Sequence, residues 1–141
     1  MNKKIVWLMA LFTFALCPAA QAEEDMRFVD ADGGTGYYLD VSALSVGQEG
    51  NPAETVFTAR IAVVKADYNK RYLYQMRFNP QKGTYEILNS EVQAYDTRAV
   101  LERSTLAREP RHYGLSSPMH SIVSFIYEWQ AEQNKAAAKS Y

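Results

Sequence analysis

The chain has 141 residues, 48% of them apolar and 22% charged, with 15 basic against 16 acidic side chains and a single cysteine. That length and balance fit one domain with an ordinary apolar core, and the near-neutral charge leaves no electrostatic footprint for nucleic acid. One cysteine excludes a disulfide framework within the chain.

In chain order, the first signal is an address. Lys3 and Lys4 precede an almost unbroken apolar run from Ile5 to Leu16, and Ala20-Gln21-Ala22 is a small-x-small cleavage site. This order defines a secretory signal peptide over residues 1–22. The run is about a dozen residues, short of the roughly 20 that a membrane-spanning helix requires. Cys17 is preceded by Leu16 and followed by Pro18, whereas a lipoprotein signal wants a small residue before its cysteine. Cleavage after Ala22 is therefore expected, and Cys17 leaves with the signal. The exported chain then begins at Glu23 with 13 basic and 16 acidic residues, retains all 10 tyrosines, and has no thiol for catalysis or metal binding.

Residues 23–134 are expected to form a single α+β domain. Met26 to Asp30 and Tyr37 to Asp40 read as a first hairpin around Asp32-Gly33-Gly34. Val41 to Glu54, with Gly47, Gly50, Asn51 and Pro52, reads as a loop. Thr55 to Lys65 alternates as a strand with Phe57, Ala59, Ile61 and Val63 on one face and Thr58 and Arg60 on the other. A turn at Asp67 to Lys70 leads to Arg71–Phe78, where Tyr72, Tyr74, Met76 and Phe78 share one face and Arg71, Gln75 and Arg77 the opposite one. Thr84 to Tyr95 follows as a strand whose apolar phase slips from Tyr85 and Ile87 to Leu88 and Val92, which predicts a bulge near Asn89-Ser90. Ala99 to Leu106 is the last expected strand. Ser117 then offers an N-cap and Pro118 a first helical position. Met119, Ile122, Val123 and Ile126 form the apolar stripe of an amphipathic helix running to about Asn134. Residues 135–141 are expected to fray. The sum is an antiparallel sheet of about five or six strands with one C-terminal helix on one face.

YYLDVSAL (Tyr37 to Leu44), VFTARIAVV, RYLYQMRF, YEIL (Tyr85 to Leu88) and the closing SPMHSIVSFIYEW together resemble the surface-adhesin protein E family of bacterial exported proteins. The resemblance runs in order from Phe28 to Trp129. It implies an antiparallel sheet with one C-terminal helix and a cell-envelope location. The name-giving member binds host extracellular-matrix proteins, so the resemblance also implies adhesion to a host or envelope protein.

Arg108, Arg111, His112 and His120 are the candidate ligand-binding residues. With Glu109 and Tyr113 they form the richest local set of polar groups, just ahead of the helix start. Arginines beside free helix N–H groups suit a carboxylate or phosphate. The plainer alternative is a solvated loop before a capped helix. A metal reading would use His112, His120 and Glu109, but the spacing matches no zinc signature. Asp30, Asp32 and Asp40 lie close in sequence without reproducing a calcium loop, and read as turn formers. The stripe Tyr72, Tyr74, Met76, Phe78 reads as core rather than as a stacking platform. Arg60, Arg71 and Arg77 with Gln75 would share the opposite face, either as a modest basic patch or as an ordinary solvated surface. There is no G-x-S-x-G, and Ser116 and Ser117 sit at a cap.

The expectation is a non-catalytic, exported binding module in the periplasm, at the cell surface or secreted, without cofactor or metal. The alternative is a small periplasmic enzyme or anion-binding protein using the loop from Arg108 to His120. The intact mass of the exported protein is expected to place its N-terminus at Glu23, and a lipidated species beginning at Cys17 would overturn that cleavage site.

Overall fold

The computed structural model describes residues 23–140; the expected signal peptide, Cys17 and Tyr141 lie outside the described residues. Strands β1 (Met26–Asp32), β2 (Thr35–Glu49), β3 (Glu54–Lys65), β4 (Lys70–Asn79), β5 (Thr84–Ala94) and β6 (Val100–Ser104) pair in sequence order as an antiparallel meander. A seventh strand, β7 (Arg111–His112), pairs with the start of β5. One helix, α1 (Pro118–Ala138), follows. The class is α+β, as the alternation and the closing amphipathic stripe require.

The β1–β2 turn has only two residues between the paired Asp32 and Thr35. Gly33 takes φ +59° there, a left-handed conformation that a side chain would resist. Further along, the expected loop from Val41 to Glu54 is mostly strand. β2 runs on to Glu49, paired with Glu54, and only residues 50–53 turn. Gly50, Asn51 and Pro52 signalled the turn correctly but not how little chain it needs, and Gly47 lies within the strand. Between Asp40 (opposite Arg60) and Ser45 (opposite Thr58), residues 41–44 of β2 bulge against Ala59 alone.

Asp40 holds that bulge. Its side chain is 2% exposed, and its Oδ1 accepts from the Asp25 and Ser42 backbone N–H groups, each at 3.0 Å, and from the Ser42 hydroxyl. A buried carboxylate is tolerated only when such donors satisfy it. Asp40 is thus a structural brace inside a strand, not the turn former that its spacing from Asp30 and Asp32 implied. The surplus residues put Val41 and Leu44 against the core.

The slip in β5 is a bulge at Leu88: Gln75 faces Asn89 while Met76 faces Ile87. It falls next to the expected position. β6 stops at Ser104, shorter than expected, and leaves the outer edge of the first half of β5 open. The chain returns to fill that gap, with the Arg108 N–H donating to the Ile87 carbonyl at 2.8 Å and β7 laid against Thr84 and Tyr85.

Ser117 caps α1, its hydroxyl oxygen accepting from the His120 N–H at 3.3 Å, with Pro118 at the first helical position. The helix extends past Asn134 to Ala138. Three consecutive alanines, Ala136 to Ala138, have the highest intrinsic helix propensity and continue it without burying anything. Ile122, Val123 and Ile126 are sealed against Leu39, Phe57, Ala59, Ile61, Met76 and Phe78, with Met119 and Tyr74 packed at the edge. At the ends of the contact, the Ser121 hydroxyl donates to Asp30 at 2.9 Å and the Arg27 guanidinium lies 5.1 Å over the Trp129 ring. Ile122→Ala is expected to cost about 2–5 kcal/mol, the range for truncating a buried aliphatic side chain, as measured by chemical denaturation. A loss below about half a kcal/mol would mean that the helix does not dock there.

Candidate functional site

A six-stranded sheet at about 4.8 Å per spacing is roughly 24 Å wide, and one helix is about 10 Å across. The helix cannot cover the whole face. Leu39, Phe57, Ile61, Met76 and Phe78 lie where it does. Beyond its flank the same face changes chemistry to Tyr37, Tyr72, Tyr74 and Tyr85, all half-buried. A phenol suits that boundary, since its ring packs on the sheet while its hydroxyl stays in water.

These four tyrosines line an open cavity of about 410 Å³, floored by Val63, Met76 and Ile87, walled by Met119 of the helix and edged by Lys65. The volume falls within the range of small-ligand pockets. Tyr72 and Tyr74, two apart on β4, hold their rings parallel within 6° at 6.4 Å between centroids. Among the described residues none of the four hydroxyls donates to a protein group, so all four are free to meet a ligand. Burial pushes the Tyr74 phenol above its ordinary value, partly countered by the nearby Arg108 charge. Burial, reinforced by Asp32 and Asp30, does the same to Tyr37.

The stripe read from the sequence as core therefore divides. Met76 and Phe78 are core, whereas Tyr72 and Tyr74 line the cavity. Tyr37, Tyr85, Ile87, Lys65 and Met119 were not identified as site residues from the sequence, because their convergence depends on strand register and on where the helix ends. The available signal was residue choice: tyrosine where neighbouring positions of the same face carry leucine, isoleucine or phenylalanine.

On the opposite face, the three arginines do not form a free basic patch. Arg71 is 5% exposed, donating to Glu24 at 2.8 Å and to Gln93 at 2.9 Å. Arg60 reaches the same Glu24 carboxylate at 3.3 Å. Arg77 pairs with Glu86 and, at 2.8 Å, with Glu49, and the Glu86 carboxylate raises its pKa further. Each guanidinium is thus held by a carboxylate, with Arg60 and Arg71 sharing Glu24. Leu73 and Ala62, directly paired, are buried between these ion pairs.

The loop residues disperse. Arg111 and His112 are consecutive on β7, both exposed, so their side chains take opposite faces of the sheet. Arg111 is opposite Tyr85 and His112 opposite Thr84. His120 sits in the first helical turn with its ring 6.2 Å from that of Tyr113. Arg108 is exposed and near enough to the tyrosine cavity to act on Tyr74. None of Arg108, Arg111, His112 and His120 lines that cavity. Asp30 is occupied by the Ala31 N–H and the Ser121 hydroxyl.

No family model, curated protein or solved structure matches the chain.

The raised phenol pKa values set a pH dependence. A group that ionises later folded than unfolded contributes stability below its unfolded pKa and loses it as pH rises through the folded value. Stability to urea is therefore expected to fall in the alkaline range, above about pH 10 where free tyrosine ionises. Tyr74→Phe should flatten that fall, which urea titrations on either side of this range would measure.

Proposed function

We propose that this protein is an exported, non-catalytic binding module of the bacterial cell envelope or surface, adhesin-like in kind, whose ligand sits in the tyrosine-lined cavity. The observation that carries this reading is the cavity itself. Four half-buried tyrosines, two with parallel rings, converge on one open concavity beside the helix, with unengaged hydroxyls. Apolar lining with a few directed polar groups is the usual composition of a recognition site. The resemblance of the Phe28–Trp129 stretch to the surface-adhesin protein E family supports the same class and the same location. Every cavity-lining side chain can bind by packing or by donating a hydrogen bond.

Within this reading the loop ahead of the helix has a lesser part. Arg108 lies close enough for its positive charge to act on Tyr74, while Arg111 and His112 diverge.

The experiment compares wild-type protein, a Tyr72→Ala/Tyr74→Ala double variant and an Arg108→Ala/Arg111→Ala double variant against a panel of extracellular-matrix proteins and anionic small molecules. The tyrosine variant is expected to weaken binding by about tenfold or more, as loss of aromatic anchors does, and the arginine variant by less. Equal binding by wild type and tyrosine variant would remove the cavity as the site. Turnover of any substrate that disappears with His112→Ala or His120→Ala would overturn the non-catalytic reading.

A further inference from the structure

The chemistry of the cavity restricts its ligand, given the reading above that the cavity is the ligand seat. Its polar lining is four phenol hydroxyls, which can donate and accept, and the Lys65 ammonium, which only donates. Its remaining lining is aliphatic or thioether, and none of the nine lining side chains is a carboxylate or carboxamide. Of the two carboxylates near Tyr37, Asp30 is already hydrogen-bonded to Ala31 and Ser121, and Asp32 is exposed and outside the lining. Every polar group of this lining can donate and none is an acceptor only, so it can satisfy a partner rich in acceptors and bulky enough to fill spaces between rings.

We propose that the cavity binds a proline-rich peptide segment in the polyproline II conformation, lying along β4 across Tyr72 and Tyr74. Proline has no N–H, so a proline-rich strand offers carbonyl acceptors almost alone. In polyproline II those carbonyls make no internal hydrogen bonds and point outward. Aromatic-lined grooves are the established receptors for this conformation, because rings pack on pyrrolidines and the ligand is ordered before it binds.

The geometry agrees. Polyproline II rises about 3.1 Å per residue with three residues per turn, so two of its three edges can rest on a floor, and residues i and i+2 on those edges lie about 6.2 Å apart along the axis. The Tyr72 and Tyr74 rings, parallel within 6°, are 6.4 Å apart along β4. The flanks of this track are built by neighbouring strands. Tyr37 lies on one side, opposite Val63, which in turn faces Tyr72. Tyr85 and Ile87 lie on the other side, on β5. Met119 of the helix forms a wall, so the seat exists only when the helix is docked.

The test is calorimetric titration of the exported protein with decaproline, a glycine-serine peptide of equal length and a chitin hexasaccharide. Decaproline is expected to bind saturably and the glycine-serine peptide not to bind. Tyr72→Ala and Tyr74→Ala should each weaken decaproline by about tenfold or more. Tyr74→Phe keeps the ring but removes a donor, and should weaken it by less. Circular dichroism of each variant separates lost binding from lost folding. Absence of decaproline binding, or binding that Tyr72→Ala and Tyr74→Ala leave unchanged, overturns the proposal. If the hexasaccharide instead binds and depends on those tyrosines, the peptide ligand falls while the cavity stands as a binding seat. If neither probe binds and the tyrosine variants still bind matrix proteins as wild type does, the cavity reading falls with it.

Discussion

One helix is asked to cover a sheet about twice its width, and the rest of the molecule follows from that mismatch. Where α1 lies, the face beneath is sealed aliphatic and phenylalanine core. Where it stops, burying large apolar side chains is no longer possible, and leaving them bare would expose a patch of a kind soluble proteins avoid. Tyrosine resolves the conflict, because it can pack a ring and hydrate a hydroxyl at once. The tyrosine-lined cavity is thus a by-product of incomplete coverage, built from residues that the sheet needs anyway at its half-wet margin.

The opposite face meets the same problem with different means. Among the described residues no second layer covers it, yet Leu73 and Ala62 are buried there. The cover is the acidic segment leading into β1, whose Glu24 carboxylate joins Arg71 and Arg60 across the strands. Asp25 continues the attachment: its N–H donates to Asp40 and its carbonyl accepts from Val41. A buried arginine with one partner removed is strongly unfavourable, so the side chains at Glu24, Arg71 and Gln93 are interdependent. The arrangement also explains why three arginines on one face confer no basic surface.

Much of this fold was legible in the sequence, and the reasons are physical. Strict alternation through Phe57–Val63 and Tyr72–Phe78, with the three- and four-residue steps from Met119 to Ile126, records which side of each element is buried. The cap at Ser117-Pro118 marked the helix start. What was not legible depends on pairing at a distance. Residues 45–49 are strand because their backbone is matched by residues 54–58, not because their side chains alternate. Arg111–His112 are strand because β6 ends early and leaves an open edge on β5. The tyrosine cavity was hidden for the same reason. Its members come from β2, β3, β4, β5 and α1, and only register brings them together, whereas Arg108, Arg111, His112 and His120, close in sequence, are spread by the return path of the chain.

The order of pairing along the chain has a temporal consequence. Each of the six main strands pairs with its sequence neighbour, so the sheet can grow hairpin by hairpin through contacts that are short-range in sequence and quick to close. The core cannot. Ser121 must reach Asp30, 91 positions earlier, and Ile122, Val123 and Ile126 arrive only after every strand has emerged. Until then the Phe57, Ile61, Met76 and Phe78 face stands open to water. A chain emerging N-terminus first would therefore pass through a stage in which its backbone is largely paired and its interior is still its most adhesive surface, with the final twenty or so residues acting as the closure.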